Sequence, residues 1–146
     1  MSTVVPSLTL RSLLRSSASR AGLDVVPEVT TGLTPTAQAM AIAGAALTTP
    51  VMLVVPTDNE VEAMTSDARF FYAAMEGLSD SELSRAVMPF PSLEVDPYRA
   101  ITPHLDVASA RAKVLSSLAR GSAQIVIASA AALLPRYAES QQTNWA

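Results

Sequence analysis

The chain has 146 residues and a mass of 15.3 kDa, which is room for one domain with a buried core. Hydrophobic residues make up 49% and charged residues 16%, with mean hydropathy +0.30, the opposite of a disordered composition. A net charge of -3 and a pI near 5.0 exclude a free-standing electrostatic nucleic-acid binder. The lack of cysteine excludes a disulfide scaffold, a thiol nucleophile and cysteine-based zinc sites, and a single histidine, His104, excludes an all-histidine metal site. No apolar run approaches the ~18 residues of a membrane-spanning helix; the longest, Ala39 to Leu47, is rich in alanine and glycine. A cytoplasmic location with no membrane partner is expected.

The first acidic residue is Asp24, so Arg11, Arg15 and Arg20 stand unopposed in a serine-rich opening. Such a start has the look of an organelle transit peptide. It reads better as an amphipathic helix capped by Ser7, with Leu10, Leu13 and Leu14 on one side and the arginines on the other. No small-residue cleavage site follows, and residues 1–29 read as helix plus connector. Thr34 and Pro35 read as N-cap and first residue of a helix running to about Thr48, with Pro50 beyond it. Val51 to Val55 is a continuous apolar run, expected to be a strand covered on both faces.

Asp58 is expected to cap a long helix whose Val61, Met64, Ala68, Phe71 and Met75 recur at helical spacing, and Gly77 closes it. Ser79 to Glu82 carries a capping-box spacing for one short turn. Ala86 to Phe90 predicts a second strand, with Pro89 placing it at an edge or ending it early. Residues 91–103 hold three prolines and read as an extended loop. Asp106 is expected to cap a helix burying Val107, Ala110, Val114 and Leu118, with Gly121 just past its end. Gln124 to Ala128 predicts the third strand, after which Ser129 can cap a last short helix reaching Leu134.

This alternation predicts an α/β fold, a parallel sheet with flanking helices and right-handed crossovers, over residues 30–136. Residues 137–146 are polar and patternless, and read as a disordered or truncated tail. The tail stops where an α/β sheet would normally continue, so the module is expected to be incomplete.

A phosphate loop needs Gly, four residues, then Gly-Lys-Ser/Thr, because backbone amides and the lysine cradle phosphate while the hydroxyl holds magnesium. Counted from Gly32, those positions hold Ala37, Gln38 and Ala39, and the chain's one lysine is Lys113, in a different helix. The Gly32-Leu33-Thr34-Pro35-Thr36 turn therefore has the placement of a phosphate loop without its working atoms. No Gly-x-Gly-x-x-Gly turn supports a dinucleotide site. Glu94 and Asp96 read as a solvated loop face, not an acid–base pair. His104 reads as a loop histidine beside a helix start, Arg111 and Lys113 as solvated charges by default, and Phe70, Phe71 and Tyr72 as core plus one exposed ring.

Phe90-Pro91-Ser92-Leu93-Glu94-Val95-Asp96-Pro97-Tyr98, then Thr102-Pro103-His104-Leu105-Asp106 and Arg111, resembles the N-terminal module of the bacterial transcription-repair coupling factor. The resemblance covers about residues 30–136; the Pro-Tyr to Pro-His-x-Asp string is its specific part. It implies a degenerate nucleotide-binding lobe, similar to the first lobe of the B component of the excision nuclease but without ATP binding, and so no cofactor for this chain. ATP and magnesium are expected only in the separate motor of the whole family member, an ATP-dependent DNA translocase that displaces stalled RNA polymerase and recruits nucleotide excision repair.

The implied partners are the remaining domains of the coupling factor. The A component of the excision nuclease is reached through a segment following Arg136, which this chain does not contain. RNA polymerase and DNA are reached only through the full-length protein. Glu94, Pro97, Tyr98, Pro103, His104, Asp106 and Arg111 are the implied interaction residues. Two other readings are an active nucleotide-binding helicase or nuclease lobe using Gly32 to Thr36, and a small organelle-targeted α/β protein.

Overall fold

The computed structural model describes residues 8–26, 31–93 and 104–134. Helix α1 (Leu10–Arg20) is capped by Thr9: its hydroxyl accepts from the Ser12 amide, and the Ser12 hydroxyl accepts from the Thr9 amide. The expected cap, Ser7, lies outside the described residues. The buried face of α1 also differs from the expected one. Leu10 and Leu13 are 58% and 45% exposed, whereas Ala18 is buried and Leu14 packs on the core.

Electrostatics decides which face of α1 turns inward. The Nε atoms of Arg11 and Arg15 each donate to the Met75 carbonyl at 2.8 Å, Arg11 also donates to the Glu76 carbonyl, and Arg15 pairs with the Glu76 carboxylate. Those carbonyls end helix α3 (Asp58–Glu76), where the last turn has no intrahelical donors and the helix dipole is negative. Arg11, Leu14, Arg15 and Ala18 recur every three or four residues, so the arginine side is the side that docks.

Helix α2 (Pro35–Ala45) starts as expected, with the Thr34 hydroxyl accepting from the Ala37 amide at 3.3 Å and Pro35 first in the helix. Its Ala39 and Ala43 are fully buried, and α2 lies chiefly along α3. At Gly44 a Cβ would fall 2.7 Å from the Leu23 carbonyl oxygen, so only glycine lets the chain after α1 pass there. Helix α3 begins one residue after its N-cap, Thr57; Asp58 is in the first turn and is not the expected cap. Val61, Met64, Ala68 and Met75 form its buried stripe with Thr65 and Tyr72, and Phe70 is the exposed ring of the aromatic trio. Gly77 closes α3 at φ +71°, a left-handed conformation. Helix α4 (Asp80–Ala86) follows with the expected capping box between Ser79 and Glu82.

Strands β1 (Val51–Val55), β2 (Val87–Phe90) and β3 (Ile125–Ser129) form a parallel sheet in the order β1-β3-β2, with Val51 and Val87 both opposite Ile125. Helix α5 (Leu105–Ala119) crosses from β2 to β3, and a short 3-10 turn, Ala131–Leu133, follows β3. The central strand is buried on both sides: Ile125 and Ile127 join the core under α2 and α3, Val126 and Ala128 the core under α5. The α/β fold with helices on both faces of a parallel sheet is therefore present.

Two expectations fail within it. β1 is covered on one face only: Val51 and Leu53 pack inward, while Met52 and Val54 are 46% and 47% exposed, because α5 packs chiefly on β2, at the other side of the sheet. Leu118 lies on the outside of α5, and the buried stripe runs through Arg111, Val114 and Ser117 instead. Replacing Gly44→Ala is expected to cost about 1–3 kcal/mol, since the clash is with backbone that has no rotamer to yield. Urea unfolding of the variant against the parent measures this.

Candidate functional site

In open α/β sheets, ligands bind beyond the carboxyl ends of the strands. Here that end carries a polar cluster built from four segments. β1 leads through Thr57 into Asp58, β2 into Pro91 and Ser92, β3 ends on Ser129, and α5 supplies Arg111. Arg111 is only 3% exposed, so its reading as a solvated charge is corrected. Its guanidinium lies over the Phe90 ring, 4.1 Å from the centroid, donates to the Ala132 carbonyl at 3.0 Å and also donates to the Pro91 carbonyl. A planar fork with five donors can do all three at once, which a lysine ammonium cannot.

Asp58 closes the other side of the cluster. Its carboxylate accepts from the Ser92 amide at 2.9 Å, from the Ser92 hydroxyl at 2.5 Å and from Ser129. The buried Ser129 hydroxyl oxygen also accepts from the Ala132 amide at 3.1 Å; the N-cap of the short 3-10 turn is Ala130, one residue after the expected Ser129. Partial burial works to raise the Asp58 pKa, but the serine hydrogen bonds and the Arg111 charge outweigh it and hold the group below its ordinary value. Burial lowers the Arg111 pKa from its usual value, opposed by the Asp58 charge.

Of the other residues singled out from the sequence, His104 and Asp106 are at the start of α5 and exposed. His104, not Asp106, is the N-cap: its Nδ1 accepts from the Asp106 amide at 3.4 Å. A histidine at that position takes the role assigned to the aspartate because the helix begins two residues earlier. Glu94, Asp96, Pro97, Tyr98 and Pro103 lie outside the described residues. The Gly32 turn has φ +77° and is closed on itself: Thr34 holds the Ala37 amide, and the Gln38 side-chain amide donates to the Leu33 carbonyl at 3.2 Å. Gln38 stands where a phosphate loop has its lysine.

The Asp58–Ser92–Ser129 group is not legible as a unit in the sequence. Its signal is a serine ending the apolar run of β3 and another just past β2, each ordinary when taken alone. Among the described residues, no three histidine, aspartate or glutamate side chains gather as metal ligands, and no helix is long and apolar enough to cross a membrane. No protein-family model, curated protein or solved structure matches this chain.

Removing the guanidinium leaves two carbonyls without their charged donor and a ring without its cover. Arg111→Ala is expected to destabilise the fold by about 3 kcal/mol, read by urea unfolding. Asp58 has its own signature, because its folded pKa is below the unfolded one. Its contribution is fully present above the unfolded value and is lost as pH falls through the folded value. Asp58→Asn should therefore lower stability at neutral pH, with the gap to the parent closing as pH falls below about 4. A gap unchanged down to acid pH would contradict the assignment.

Proposed function

We propose that the chain is a non-catalytic scaffold and interaction module, the N-terminal module of a transcription-repair coupling factor, similar to the first lobe of the B component of the excision nuclease with its phosphate loop lost. The observation that carries this reading is the internal use of Arg111. The arginine of the Thr102-Pro103-His104-Leu105-Asp106…Arg111 string points into the fold and holds Pro91, just past β2. Arg111 then serves to anchor α5 and the end of β2 to each other, beside the exposed residues that a specific contact would use. His104 and Asp106 are exposed at the start of α5, ready for a protein partner.

The strand ends support the same view. A nucleotide lobe needs donors turned toward phosphate, whereas Arg111, the Ser92 amide and the Ala132 amide are bonded within the chain. The active-lobe alternative would have to use the Gly32 turn, where the Ala37 amide and the Gln38 side chain are both engaged locally. Organelle targeting is less well supported, since Arg11 and Arg15 hold the end of α3. On the proposed reading the module acts in the cytoplasm against the other domains of the coupling factor. Contact with the A component of the excision nuclease, RNA polymerase, DNA, ATP and magnesium belongs to the full-length family member.

The test is a thermal melt with and without magnesium-ATP. A site occupied at ~100 times its dissociation constant adds about 2.7 kcal/mol, which for a domain of this size is a rise on the order of 5 °C. The scaffold reading predicts a cooperative melt with no shift; a shift of that size would favour the active lobe.

A further inference from the structure

We propose that two copies of this chain pair through helix α5, antiparallel about a twofold axis at Ala112; this goes beyond the functional reading and does not rest on it. Five residues of α5 recur at alternating spacings of three and four: Leu105, Ala108, Ala112, Leu115 and Ala119. That is the spacing of the a and d positions in a helix–helix seam. The seam does not face the core of its own domain. The buried stripe of α5 runs through Arg111, Val114 and Ser117, while all five seam residues are exposed, Leu105 at 79%. Single exposed leucines are ordinary, but a second apolar seam on a helix already packed along another is not.

The charges of α5 keep clear of this seam. Asp106 and Lys113 turn to another flank, where they line a cavity with Arg69, Met88 and Pro89 at the β2 edge. Between that flank and the seam stand Ser109 and Ser116, small and uncharged. On the seam's other flank is Leu118, also exposed. The apolar patch widens on the sheet itself. Met52 and Val54 are exposed on the same face of the sheet as α5, since Met52 pairs with Val126 of the core beneath that helix.

The order of large and small residues along the seam says what fits it. Laid antiparallel on itself about Ala112, the seam sets Leu105 against Ala119 of the second copy and Ala108 against Leu115 of the second copy. A large residue then meets a small one at each outer layer. The two alanines at the centre let the helix axes approach to about 8 Å. Each contact occurs twice, as a twofold interface requires. The helix ends agree with this direction. Antiparallel pairing opposes the two helix dipoles and brings the end carrying Asp106 to the end carrying Arg120. Parallel pairing would instead stack leucine on leucine and set like ends together. At 15 residues, α5 is about 22 Å long. The helix pair alone falls short of the ~1,200 Å² of a stable interface, so the dimer is a weak one.

Sedimentation equilibrium of the full chain over about 10–1,000 μM tests the pairing, a range suited to a weak interface. The mass is expected to rise from 15.3 kDa toward twice that value. Ala112→Glu and Ala112→Lys each set like charges against each other at the axis, and each should weaken association by about tenfold or more. Far-ultraviolet dichroism should stay unchanged in both, because the replaced methyl group is exposed. Mixed in equal amounts, the two variants should associate again, since glutamate then faces lysine across the axis. Lys113→Gln, on the other flank, should associate as the parent does. Three results would overturn the proposal. One is a parent chain that stays monomeric to the highest concentration. Another is a dimer that both Ala112 variants retain, which would place the contact elsewhere. The third is a pair of monomeric variants that do not associate on mixing, which would take Ala112 off the axis.

Discussion

One buried guanidinium organises this fold. A charge removed from water is tolerated only when hydrogen bonds and packing offset a desolvation cost of several kcal/mol. Arg111 meets that condition with the Pro91 and Ala132 carbonyls and the face of Phe90. Those partners come from the end of β2 and from the turn after β3, while Asp58 binds the neighbouring Ser92 and Ser129 from the first turn of α3. Segments separated by dozens of residues are thereby tied at one end of the sheet. If the cluster loosened, Pro91 and Ser92, which follow β2, would lose these contacts.

That arrangement bears on function because the same end of a parallel sheet is where α/β proteins bind ligands. Polar groups there can serve a ligand or the fold. In this chain Arg111, Asp58, Ser92 and Ser129 are bonded within the fold, and the turn ahead of α2 closes on itself through Thr34 and Gln38. The docking of α1 follows the same logic on the other side of the molecule, where arginines satisfy the last carbonyls of α3.

Local rules carry much of the fold in the sequence. Thr34-Pro35, Gly77, the Ser79–Glu82 box and Gly121 all mark element ends where they are expected, since each acts through nearby backbone. Failures arise where a distant partner decides. Leu10 and Leu13 are expected to face inward, yet the helix turns its arginines in because α3 presents unpaired carbonyls to them. Arg111 reads as solvated because no local pattern distinguishes a buried arginine from an exposed one on a helix. Met52 and Val54 read as covered because a continuous apolar run does not show which of its faces has a helix above it. The candidate site is half legible: Arg111 stands out in the sequence with the Thr102 to Asp106 string, but Asp58, Ser92 and Ser129 meet only through the β1-β3-β2 strand order.

Arg111 and Asp58 act as parts of one cluster, not as separate anchors. A double-mutant cycle in urea tests it, using Arg111→Met, Asp58→Asn and the double variant, each checked for native far-ultraviolet dichroism. Residues sharing one hydrogen-bonded network are expected to couple, here by about 1 kcal/mol or more, so the double variant should lose less than the two single losses combined. Strict additivity, within about 0.3 kcal/mol, would mean that the two residues are separate anchors.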